Sequence, residues 1–373
     1  MDGLMTLPRK GAGAALRHDS ALKHTTGEAR YADDLPEVPG ALHAALVLSG
    51  VAHGRVTALH VGAARAMPGV VAVIGPREVP GKNDIAPIGA DEPLFADPVV
   101  EFAGMPLAMV VATTRDAALR AAAAVQAEIE PLEPVLSIER ALEREQYVVQ
   151  PQVLARGDAA AAIAAAPRRI EAEFHAGGQE HFYLEGQVAI ATPGEDGEMG
   201  VVSSTQHPSE VQHVVSRVLG CEYNRVTVTC RRMGGGFGGK ESNASWVAAA
   251  AAVAARVTRR LARRADMTAT GKRHPFLYRW TAGFDDTGRI LGLDATLAAD
   301  GGWSLDMSGG VVFRAVTHAL NCCDVPDVRI AGCAVRTNTV SHTAFRGFGG
   351  PQGALLMEDV VHRVARAVGR APE

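Results

Sequence analysis

Ten residues, Arg232-Met233-Gly234-Gly235-Gly236-Phe237-Gly238-Gly239-Lys240-Glu241, set five glycines around a single aromatic between a β-branched run and an alanine-rich one. A stretch with so few side chains builds no core, but its backbone amides can approach a bulky ligand where a Cβ would collide. Arg225 to Cys230 ahead of it reads as a strand and Ser242 to Val257 behind it as a helix. The loop therefore opens at a helix N-terminus, which favours anionic groups, and Phe237 supplies an aromatic wall. A plain tight turn would also use these glycines. A Walker-type phosphate loop would not, because the Gly-Lys-Ser/Thr ending is missing.

The design recurs in Thr343-Ala344-Phe345-Arg346-Gly347-Phe348-Gly349-Gly350-Pro351-Gln352, which again follows a strand and opens a helix, Gln352 to Val368. Two such joints suggest one shared pocket. Arg346 would face an oxyanion beside the helix start, and Phe348 would stack on a planar ring. Taken singly, a surface arginine and a core phenylalanine are the plainer readings.

The rest of the chain reads as a mixed α/β (α+β) fold, and 373 residues are too many for one core, so two domains are expected. Short apolar runs at 41–49, 70–74 and 105–112 read as strands, and 114–130 as a helix behind a Thr113 or Thr114 cap. Residues 75–104, rich in Pro, Gly and Asp, read as an extended surface connection, and 131–155 as the boundary between domains at 15–131 and 150–373. Beyond it come a short helix ending at Pro167, a strand at 169–175 and a helix at 208–219. A hairpin joins 277–284 to 290–299 through Asp285-Asp286-Thr287-Gly288.

A net charge of −4 with scattered basic residues, apart from Arg256 to Arg264, argues against a nucleic-acid partner. No basic-then-apolar leader and no apolar run near 20 residues occurs, so no membrane association and a cytoplasmic location are expected. Five cysteines without a CxxC pair read as reduced thiols, with Cys322 and Cys323 expected to be buried. Thirteen histidines in no HExxH-like spacing give no zinc site.

These two glycine stretches, with Gly178-Gln179-Glu180-His181-Phe182-Tyr183-Leu184-Glu185, Ser204-Thr205-Gln206 and Lys272-Arg273-His274-Pro275-Phe276, resemble the signature of the xanthine dehydrogenase and aldehyde oxidase family of molybdenum hydroxylases, in the family's order. The resemblance implies a small hammerhead-type α/β domain followed by the first of two molybdopterin-binding domains. By it, Gln206 is the glutamine beside the molybdenum, and Gly236, Phe237, Gly238 and Arg346 surround the metal and pterin. Glu241 hydrogen-bonds a purine, Arg314 stabilises negative charge on the attacked ring, and Phe348 packs on the purine. Gln179 to Glu185 would support the cofactor.

The implied reaction is hydroxylation of a purine, hypoxanthine or xanthine to urate, with electrons leaving through iron-sulfur clusters and FAD on a partner subunit. No clustered cysteines occur in these residues, and no iron-sulfur or flavin site is expected within them. The family's catalytic glutamate and second molybdopterin domain are expected beyond Glu373, so no catalytic base is assigned within the sequence. Residues 257–267 look shortened, which predicts a short inner strand. The rival readings are an aldehyde-oxidising molybdenum hydroxylase and a non-catalytic remnant or split-gene half.

Overall fold

The computed structural model describes residues 11, 14, 16–254, 257–260 and 263–373, without the side chains of 257–260 and 263–265. Ala15, the expected start of the first domain, lies outside the described residues. Among the described residues the chain is a mixed α/β structure built on three sheets.

The largest sheet orders its strands Val226–Thr229, Met199–Ser203, Val188–Pro193, Val257–Arg260, Leu42–Leu48, Pro106–Ala112 and Val70–Ile74. Its inner strand Val257–Arg260 is short, four residues, yet it runs parallel to Leu42–Leu48 and antiparallel to Val188–Pro193. One sheet thereby ties strands between residues 42 and 112 to the segment that carries the glycine loop. A five-stranded sheet follows the order Tyr147–Arg156, Asp327–Arg336, Ile290–Gly302, Phe276–Phe284 and Arg168–Ala176, with the expected hairpin at its centre. Gly54–His60 between Val99–Val100 and Gln126–Pro131 completes the third.

Helix Asn243–Val253, directly after the first glycine stretch, is buried on every face from Ala244 to Ala252. Its alanines let it pass close to the large sheet and to helix Pro208–Leu219, which inserts Val211, Val214, Val215 and Val218 at helical spacing. Pro208 starts that helix and Gly220, with φ 66°, ends it in the left-handed conformation. Among the described residues no helix is long and apolar enough to cross a membrane.

Three expectations change. The helix expected at 114–130 ends at Ala124, because Gln126–Pro131 turns Ala127 and Ile129 inward and pairs with Gly54–His60. Residues 75–104 are no surface strap: Leu94, Phe95 and Phe102 are buried, and Asn83 exchanges two hydrogen bonds with the Phe95 backbone. Residues 131–155, expected as the boundary, hold helix Ile138–Glu143 and most of edge strand Tyr147–Arg156, which exposes Gln150, Pro151, Gln152 and Val153 in succession. Cys322 is exposed, not buried.

His274, buried behind the five-stranded sheet, bonds Ser308 Oγ through Nε2 at 2.9 Å, and burial pushes its pKa down to about 3. The unfolded chain takes up this proton near pH 6.5 and the folded chain does not. His274 thus contributes full stability above pH 6.5 and loses it as pH falls toward 3, at about 1.4 kcal/mol per pH unit at most. Urea unfolding of His274→Gln from pH 7 to 4 should show a shallower loss than the parent; parallel curves would refute this.

Candidate functional site

Gln206 stands between strand Met199–Ser203 and helix Pro208–Leu219, exposed, with its side-chain carbonyl turned into the first glycine stretch. Its Oε1 accepts the Gly238 N–H at 2.8 Å and the Lys240 N–H at 3.3 Å, while its own N–H donates to the Lys240 carbonyl at 2.8 Å. The carboxamide is thereby held through its oxygen, and among the described residues no hydrogen bond engages its Nε2 donors. A Cβ on Gly236 would lie 2.5 Å from Gln206 Oε1, so only glycine permits this contact.

The second stretch lies directly against the first. Arg346 N donates to the Phe237 carbonyl at 2.9 Å, and His181 Nε2 reaches the Ala344 carbonyl at 2.8 Å. Phe237 and Phe348 both hold left-handed backbone, φ 53° and 46°, a cost of about 1 kcal/mol or more each that surrounding contacts must sustain. Phe237 is exposed and Phe348 half-buried.

Arg314 projects from helix Ser308–Thr317, which the sequence did not announce because it begins Ser-Gly-Gly. Phe348 packs against Gly310, one turn before Arg314 on the same helix face; a Cβ on Gly310 would sit 2.8 Å from the ring. Among the described residues no carboxylate pairs with the exposed Arg314 guanidinium. Glu241 is half-buried at the end of the first stretch, followed by Ser242, whose Oγ meets Thr343 Oγ1 at 3.0 Å. Gln206, Gly236, Phe237, Gly238, Arg346, Phe348, Arg314 and Glu241 thus stand on segments that touch one another.

Two buried groups behind the loops were not singled out from the sequence. Lys240, fully buried, reaches Glu185 Oε2 at 3.3 Å and Ser204 Oγ at 2.8 Å. Glu185 Oε2 also accepts Ser204 Oγ at 2.6 Å and the Gly234 N–H at 2.7 Å, so this ion pair anchors the loop. Burial lowers the Lys240 pKa, which Glu185 partly offsets. Arg273 binds Gln179 Oε1 at 2.6 Å and the Arg346 carbonyl at 2.9 Å, and stacks on Phe345 at 3.9 Å. Both lie within motifs visible in the sequence; their pairings are long-range and so were not readable there.

Residues 143–373 match the model of a molybdopterin cofactor-binding domain, and residues 26–133 that of the aldehyde oxidase and xanthine dehydrogenase a/b hammerhead domain. The chain is 41% identical over 95% of its length to a xanthine dehydrogenase of Emericella nidulans, and 42% identical over 98% to one of Oryza sativa subsp. japonica. It covers 26% and 28% of those proteins, about a quarter of their length. An aldehyde oxidoreductase structure from Desulfovibrio gigas superposes with a TM-score of 0.86 at 27% identity, over 95% of this chain and 42% of that one.

Proposed function

The chain belongs to the molybdopterin-binding family of aldehyde oxidase and xanthine dehydrogenase, and on that premise we propose that it forms part of a purine-hydroxylating molybdenum enzyme, converting hypoxanthine and xanthine to urate. The observation that carries this reading is Gln206, whose carbonyl is taken by the loop so that its Nε2 donors are left for a ligand over the loop. The glycine cradle and the oriented donor fit a bulky anionic cofactor, held by Gly236, Phe237, Gly238, Gln206 and Arg346. When bound, the molybdopterin supplies the oxidising centre and accepts the substrate's electrons.

The chain's own residues do the gripping. Glu241 accepts a ring N–H of the purine, Arg314 faces the oxygen on which charge develops, and Phe348 covers the ring face. A cation that meets charge only as it develops lowers the barrier without tightening the ground state. The base that activates water is proposed to lie on a segment outside these residues, as do the second molybdopterin domain and the iron-sulfur and FAD subunit that takes the electrons.

Metal and pterin analysis of the chain purified with and without the segment that follows in its relatives tests this. The complex should carry close to one molybdenum and one pterin, the chain alone far less, and Gly236→Ala should deplete the complex by displacing Gln206. A complex free of pterin would overturn the proposal.

A further inference from the structure

Asp306 lies where the three segments bearing the proposed substrate residues meet, and the reading above gives it no role. It is 3% exposed, at the turn into helix Ser308–Thr317, with φ 34°, a left-handed conformation a non-glycine residue holds only when its surroundings impose it. Its carboxyl faces the Ser242 hydroxyl one residue after Glu241, the Thr343 hydroxyl at the head of the second glycine stretch, and the Met307 N–H at the start of the Arg314 helix. Ser242 and Thr343 also bond each other at 3.0 Å, which closes the group. The Oδ1 atom is buried without a partner. A turn needs none of this; asparagine or glycine would hold it without burying a charge.

We propose that Asp306 is the positioning residue of the substrate pocket, one buried carboxyl that sets the spacing of Glu241, the Arg314 helix and the Arg346–Phe348 stretch. The inference rests on the reading of Glu241 and Arg314 as the purine-gripping pair. The groups facing Asp306 are Glu241 and Glu92, the latter held by Ser304 and repelled in turn by Asp91 and Asp84. Burial and this mutual repulsion push Asp306 up to about 6 and Glu92 well above the usual carboxylate range. With a folded pKa above the unfolded one, ionisation favours unfolding, so Asp306 takes stability away as pH rises from about 4 to 6.

Two measurements test it. In the reconstituted enzyme, Asp306→Asn and Thr343→Val should each lower kcat/KM for xanthine about tenfold, with part of the loss on kcat because Arg314 is displaced, and cost aldehyde oxidation much less, and Thr343→Ser should restore the parent value. Unchanged xanthine kcat/KM, or equal losses on both substrates, overturns the proposal. In the full chain alone, the difference in unfolding free energy between Asp306→Asn and the parent should grow in favour of the variant from pH 4 to 6; a difference that does not change with pH overturns it too. If the parent enzyme turns over no purine, the purine reading has failed, and the unfolding curves still judge Asp306 separately.

Discussion

Replacing Lys240 by methionine will destabilise the chain by about 3–5 kcal/mol, the cost of leaving a buried carboxylate uncompensated. Lys240 has no exposure, and its ammonium lies 4.7 Å over the Tyr183 ring and 3.3 Å from Glu185, whose Oε1 is already buried without a partner. Removing the cation leaves Glu185 with only Ser204 Oγ and the Gly234 N–H, neither of which neutralises its charge. The pair itself is a poor source of net stability, because taking both charges out of water offsets their attraction. Lys240→Met combined with Glu185→Leu should therefore recover most of the loss. Urea unfolding of the two single variants and the double variant measures this coupling; a single variant within 1 kcal/mol of the parent, or a double variant as unstable as the sum, would contradict it.

The glycine stretches, their flanking strands and helices, and the central hairpin were legible in the sequence because each is local: β-branched run, glycines, apolar helix. What joins them was not. Strand Val257–Arg260 pairs with Leu42–Leu48, more than 200 residues earlier, and no periodicity encodes that. Edge strand Tyr147–Arg156 exposes four successive residues, Gln150 to Val153, so no alternation of period two marks it. Gln126–Pro131 was absorbed into the alanine-rich helix before it, although its alternation of Ala127 and Ile129 with polar residues marked a strand. The site divides the same way. Glu185, Lys240 and Arg273 stood inside recognisable motifs, but the ion pair and the Arg273 clasp exist only after folding. Asp306 lay in no motif, and its importance rests on burial and on φ 34°, neither visible beforehand.

In the enzyme reconstituted with the segment that follows in its relatives and an electron acceptor, Arg314→Met should lower xanthine turnover about a hundredfold, roughly 3 kcal/mol, with the loss falling on kcat. The guanidinium is exposed near Gly350 and has no carboxylate partner among the described residues, so its charge is available to substrate and its removal leaves no buried anion behind. The effect on folding should accordingly be small, within about 0.5 kcal/mol, the scale of surface substitutions. Glu241→Ala should also impair purine turnover, through the lost acceptor for a ring N–H. Aldehydes lack both the ring oxygen and the second hydrogen-bonding edge, so their oxidation should survive either change, or improve as the pocket becomes less polar. Steady-state kinetics on xanthine and an aromatic aldehyde separate the cases. Intact xanthine turnover in both variants would remove the two residues from substrate recognition, whereas equal loss on both substrates would make them supports of the cofactor pocket.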